Sequence, residues 1–114
     1  MSSGLTIKEK EEESAVQIEI GGEVDIYTCQ ELKDKLYQCV DQSGKDLVLD
    51  CRNLNYIDST GLGVFVAVLK KVKLIDRQIT IVNLKESILK LFLITKLDLL
   101  FAIKRGEVAH SEAK

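Results

Sequence analysis

The stretch NYIDSTGLGVFVAVLKK, residues Asn55 to Lys71, decides how the rest of the chain is read. At its centre DSTGLG, residues 58–63, sets an acid, two hydroxyls and two glycines between a strand-like segment and an apolar, helix-like run. Asp58, Ser59 and Thr60 are all favoured N-cap types, and such a cap contributes about 0.5–2 kcal/mol. On spacing alone the cluster starts a helix. Gly61 and Gly63 need a further reason, because glycine inside a helix costs about 0.5–1 kcal/mol relative to alanine. Their missing side chains leave room for the close approach of a partner loop, a nucleotide or the sheet beneath.

Downstream of this cluster, the apolar run Leu62 to Leu74 predicts a helix ending in Lys70, Lys71 and Lys73, where cations suit the negative helix terminus. These lysines read as a solvated helix end, with a patch for an acidic partner as the alternative. Upstream, DLVLDC (46–51) is a continuous apolar run, as expected for a strand covered on both faces. A second such strand is expected over residues 78–82.

Earlier still, Leu5 to Glu9 and Ala15 to Ile20 alternate like half-buried strands, with Glu11, Glu12, Glu13 and Ser14 as a solvated hairpin turn. Gly21-Gly22 is expected to break the second strand. Thr28 and Glu31 have capping-box spacing and predict a helix from Cys29 to about Asp41, burying Cys29, Leu32, Leu36, Cys39 and Val40 and ending at Ser43-Gly44. Asn83 and Glu86 repeat that spacing before a short helix containing Leu84, Ile88, Leu91 and Phe92. Residues 99–103 suit a last edge strand, and residues 105–114 a frayed tail.

Alternating strands and helices imply parallel strands joined by right-handed crossovers. The fold class is α/β, a mixed sheet with central parallel strands, an N-terminal antiparallel hairpin and helices packed on it. DSTGLG falls at the carboxyl edge of that sheet, where ligand and partner sites gather.

With 114 residues, 46% apolar and 30% charged, the chain suits one soluble domain, residues 1–114. A net charge of -2 gives no basic field for nucleic acid or an anionic membrane. Its longest apolar run, Val64 to Leu69, is too short to span a bilayer, and MSSGLTIKEKEEE holds no signal-like apolar region. A cytoplasmic protein is expected. Three cysteines, Cys29, Cys39 and Cys51, lack CxxC spacing and read as packing material rather than a disulfide framework or metal site.

Three chemistries compete at DSTGLG beyond capping. A nucleophilic Ser59 needs a base, and the one histidine, His110, sits in the tail with no GxSxG elbow to support a hydrolase. A phosphate-binding loop needs GxxxxGK[ST], whereas Gly63 is followed by Val64 and Phe65. A covalent phosphate on Ser59 or Thr60 adds about -1.5 to -2 charges, which a helix N-terminus tolerates and a docked partner does not. Spacing leaves the choice of hydroxyl open.

YIDSTGLGVFV closely resembles the phosphorylation segment of anti-sigma-factor antagonists, the small STAS-domain proteins of bacterial stress and sporulation switches. GGEVDIYTCQELKDKL and LKLFLITKLD resemble their strand-to-helix segment and late helix, so the likeness runs from about Ile18 to Leu100. It implies that the unphosphorylated protein binds an anti-sigma factor that is also a serine kinase, thereby freeing a sigma factor. Ser59 would be the phosphoacceptor and a serine phosphatase would reset it. Asp25, Asp58, Thr60, Gly61 and Gly63 would join Ser59 in the partner contact. ATP would belong to the partner, leaving this chain without cofactor, metal or enzymatic activity of its own. The alternative within the family is a scaffold or ligand-sensing module that binds a small anion or nucleotide without being phosphorylated. Lys96 departs from the family pattern by replacing a glycine after Ile-Thr, which puts the local turn in question.

Overall fold

The computed structural model describes residues 4–104. Strands β1 (Leu5–Glu11) and β2 (Ala15–Val24) lead into α1 (Cys29–Ser43), β3 (Asp46–Ile57), α2 (Ser59–Leu74), β4 (Ile79–Val82), α3 (Glu86–Ile94), a 3-10 turn (Leu97–Leu99) and β5 (Ala102–Lys104). The sheet order is β1-β2-β3-β4-β5, antiparallel between β1 and β2 and parallel elsewhere. This is the mixed α/β sheet expected from the sequence.

Each parallel connection passes through a helix and steps to the next strand in the same direction. Right-handed crossovers repeated this way lay all three helices on one face. Val16 and Ile18 accordingly align with Leu47 and Leu49, and these with Ile79 and Ile81, in one buried layer. Gln17, Val48 and Thr80 share the opposite face and stay half-buried. The expectation that 46–51 is covered on both faces is therefore corrected. Its run of apolar residues looked two-sided because Val48, a good strand former, stands on the outer face.

Gly21-Gly22 does not break β2. The strand continues to Val24 through two shifts of register against β3, which itself runs on to Ile57. Gly22 has φ 89°, and a Cβ there would lie 1.9 Å from the Gly4 carbonyl oxygen, which accepts from Glu23 N at 2.8 Å. Glycine is required because the β1 backbone passes over that point.

Both expected capping boxes are absent. Thr28 Oγ1 donates to the Glu23 carbonyl at 2.8 Å and accepts from Asp25 N at 3.0 Å, so this buried hydroxyl ties the end of β2 to the helix entry. Asn83 adopts φ 63° and donates from Nδ2 to Asp50 Oδ1 at 3.0 Å, and α3 begins behind Lys85 with no side-chain cap. Asp50 is only 2% exposed, and Arg52 N and Nη2 also donate to its carboxylate. Satisfying that buried acid outweighs a surface cap for Asn83.

Leu32, Leu36, Cys39 and Val40 of α1 are buried, whereas Cys29 at its first turn is half-buried. Phe65 of α2, Phe92 of α3 and Phe101 before β5 meet edge to face, with ring centroids 5.9–6.5 Å apart. This triad packs α2 against α3 and the chain entering β5. The acidic hairpin turn is clasped by Lys45, which pairs with Glu11 at 2.9 Å and donates to the Glu12 carbonyl. The tail 105–114, His110 included, lies outside the described residues.

Candidate functional site at the carboxyl edge

Val24 and Ile57 are register partners at the ends of the adjacent parallel strands β2 and β3. Asp25 and Asp58 follow them directly, and Asp58 N donates to the Val24 carbonyl at 3.2 Å. The two strand-to-helix turns are thereby laced side by side.

Each acid serves the helix that follows it. Asp58 Oδ1 accepts from Thr60 N at 3.0 Å, Gly61 N at 3.1 Å and Thr60 Oγ1 at 2.5 Å. The Thr60 hydroxyl, helped by these backbone amides, holds the Asp58 carboxyl below its ordinary range. Asp25 Oδ1 accepts from Tyr27 N at 2.9 Å and Thr28 N at 3.2 Å. Asp25 thus closes the turn that leads into α1, which itself carries no side-chain cap.

Ser59 opens α2 and is exposed, and its hydroxyl makes no hydrogen bond among the described residues. Thr60 is equally exposed, but its hydroxyl already donates a hydrogen bond to Asp58. One hydroxyl of the pair is free to react, at a helix N-terminus whose dipole favours added negative charge. No side chain among the described residues is placed to take its proton, so an incoming reagent must bring its own base.

The two glycines separate by role. A Cβ on Gly61 would stand 2.6 Å from Ile57 Cγ1, 2.7 Å from Val24 Cγ1 and 2.9 Å from the Val24 carbonyl oxygen. Gly61 lets the helix start close against the sheet. A Cβ on Gly63 would meet nothing within 4 Å, and the residue faces solvent. Nothing inside the molecule requires Gly63.

Two residues at this edge escaped the sequence reading. Ile26 and Tyr27, between Asp25 and Thr28, are 66% and 91% exposed. The available signal was EVDIYT itself, in which two large apolar residues fall between strand and helix with no core periodicity to claim them. The three cysteines are free, with Cys39 and Cys51 buried.

A family model described as the STAS domain matches residues 6–111. The chain belongs to the STAS family. This STAS chain is 39% identical over 93 residues to the anti-sigma-B factor antagonist of Bacillus subtilis, covering 82% of this chain and 84% of that one. Its fold matches an anti-sigma factor antagonist from Mycobacterium paratuberculosis with TM-score 0.84 at 19% identity, covering 96% and 92% of the two chains. It matches the Bacillus cell fate determinant SpoIIAA, solved in its phosphorylated form, with TM-score 0.70 at 17% identity over 92% and 96%. The STAS-domain resemblance read from DSTGLG and GEVD is thus the family found by independent comparison. No helix among the described residues of this STAS domain is long and apolar enough to cross a membrane.

Proposed function

We propose that this STAS protein is an anti-sigma-factor antagonist, acting in the cytoplasm as one domain, whose binding is switched by phosphorylation of Ser59. With Ser59 free it binds an anti-sigma factor that is also a serine kinase, and the sigma factor held there is released. Phosphorylation ends the complex, and a serine phosphatase restores it. The observation that carries this reading is the exposed, unengaged Ser59 hydroxyl at the start of α2, next to a Thr60 hydroxyl already committed to Asp58. The likeness to the Bacillus subtilis antagonist supports the role.

A phosphate at Ser59 adds about -1.5 to -2 charges beside the carboxylates of Asp25 and Asp58. The helix N-terminus accommodates that charge, so the fold survives. A partner seated over the turn must desolvate the phosphate and face three clustered anions, so the complex does not survive. In this scheme Asp58 and Thr60 shape the acceptor turn, and Gly61 seats it on the sheet. Asp25, Ile26, Tyr27 and Gly63 remain for the partner. The partner supplies ATP and the base, so this chain performs no catalysis.

The test is the mass of the intact protein and its fragments after incubation with the host's anti-sigma factor and ATP. One phosphate is expected on the wild type, mapped to Ser59, and none on Ser59→Ala, which stays bound. An active kinase that leaves the wild type unmodified would sink the proposal and favour the ligand-sensing alternative.

A further inference from the structure

Ser59, Gly63, Val66, Ala67, Lys70 and Leu74 recur along α2 at three- and four-residue steps and share one stripe of that helix. The stripe is open along its length: Ser59, Gly63 and Lys70 are exposed, Val66 and Ala67 half-buried, and Leu74 is 86% exposed. From Gly63 to Leu74 it forms the floor of a groove of about 420 Å³, whose wall toward α1 is Tyr37. No contact within the domain explains an apolar residue as exposed as Leu74, or a glycine as unconstrained as Gly63.

Charge is divided along this stripe. At the Ser59 end stand the carboxylates of Asp25 and Asp58. At the other end Lys70 and Lys73 are exposed and form no ion pair among the described residues, while Lys71 is taken up by Asp41 at 2.9 Å and lies 4.8 Å over the Tyr37 ring. Eleven residues of helix separate Ser59 from Lys70, roughly 16 Å at 1.5 Å per residue.

We infer that the α1–α2 groove is the docking track for an amphipathic helix of the anti-sigma factor, with apolar side chains over Gly63 and Ala67 and acidic side chains toward Lys70 and Lys73. This rests on the reading of Ser59 above and adds the chemistry of the partner. Small residues at 63 and 67 let a helix approach closely, as long side chains there would not. The groove is continuous with Ser59 through Gly63, so a phosphate at Ser59 meets the end of the same track. The opposed charges at its two ends set one direction for the docked helix and disfavour the reverse.

The experiment measures binding of the host's anti-sigma factor by calorimetry, and the rate of Ser59 phosphorylation, for wild type, Ala67→Glu, Lys70→Glu and a control, Lys90→Glu on α3. Lys70 and Lys90 are exposed, so neither change threatens the fold. Lys70→Glu is expected to weaken binding about tenfold at low salt and less at high salt. Ala67→Glu is expected to weaken it more at both, with Lys90→Glu unchanged. Wild-type binding together with unchanged affinity in both groove variants would overturn the groove while leaving the Ser59 switch intact. A wild type that neither binds nor takes phosphate would overturn both.

Discussion

The Thr60 hydroxyl donates a hydrogen bond to Asp58 Oδ1 across 2.5 Å, while the adjoining Ser59 hydroxyl has no hydrogen-bond partner among the described residues. Residue spacing left these two hydroxyls equivalent, with the family resemblance alone pointing to Ser59, and this contact distinguishes them. The same contact is the first cause of the lowered Asp58 pKa. A carboxyl lowered by folding contributes stability that is present above its ordinary value of 3.8 and is lost as pH falls through the lowered one. Thr60→Val is therefore expected to raise the Asp58 pKa toward 3.8 in an NMR titration and to leave phosphorylation at Ser59. An unmoved titration would mean that the backbone amides alone hold the carboxylate.

Gly61→Ala and Gly63→Ala are expected to move stability in opposite directions. At Gly61 the added methyl meets three atoms at 2.6–2.9 Å, one of them a backbone oxygen, and overpacking of this kind costs about 1–3 kcal/mol. At Gly63 there is open space, so the helix gains about 0.5–1 kcal/mol from alanine's propensity. Denaturant midpoints read both. The Gly63 variant is expected to bind the anti-sigma factor more weakly despite its gain in stability, and tighter or equal binding would show that no partner approaches there.

The alternation of strand and helix patterns, and the register of turn residues around DSTGLG, were legible because both depend on local sequence. How the chain enters α1 was not. Thr28–Glu31 and Asn83–Glu86 have the spacing of capping boxes, but Thr28 is claimed by the Glu23 carbonyl and Asn83 by the buried Asp50 carboxylate. Those competitors lie on neighbouring strands, or are separated by 33 residues, and spacing carries no record of them. Gly21-Gly22 misled for the same reason, since its demand comes from the backbone of Gly4 across the hairpin. At the site, residue types marked the acceptor turn, whereas the division of labour between Gly61 and Gly63 depends on how closely α2 sits on Val24 and Ile57.

Cysteine chemistry gives a pH-dependent prediction. Burial, with Glu9 nearby, pushes the Cys39 thiol up to about 11 from 9.0, and burial pushes the Cys51 thiol up further. A raised thiol pKa contributes stability that is complete below 9.0 and is lost as pH rises toward the folded-state value. Stability is expected to fall between about pH 9 and pH 11, and Cys39→Ala to flatten part of that fall. At neutral pH a thiol reagent should label Cys29 in the native protein and all three cysteines after unfolding. Rapid native labelling of Cys51 would contradict its burial.

Lys96, where the resemblance leads one to expect glycine, sits in a turn after α3 whose conformation glycine suits. Lys96 has φ 65° and ψ 16°, immediately after the Thr95 C-cap, and its N–H donates to the Leu93 carbonyl at 3.2 Å. A left-handed residue just past a helix end is the usual glycine position, and an L side chain there costs about 1–2 kcal/mol. Part of that is offset because glycine gives the unfolded chain more freedom to lose. Lys96→Gly is therefore expected to stabilise the protein by about 0.5–1 kcal/mol, read as a higher denaturant midpoint at unchanged slope. Phosphorylation of Ser59 should be unaffected, because α3 and its turn are remote from the edge formed by β2 and β3. A destabilised glycine variant would mean that the Lys96 side chain makes a contact worth more than the backbone strain it imposes.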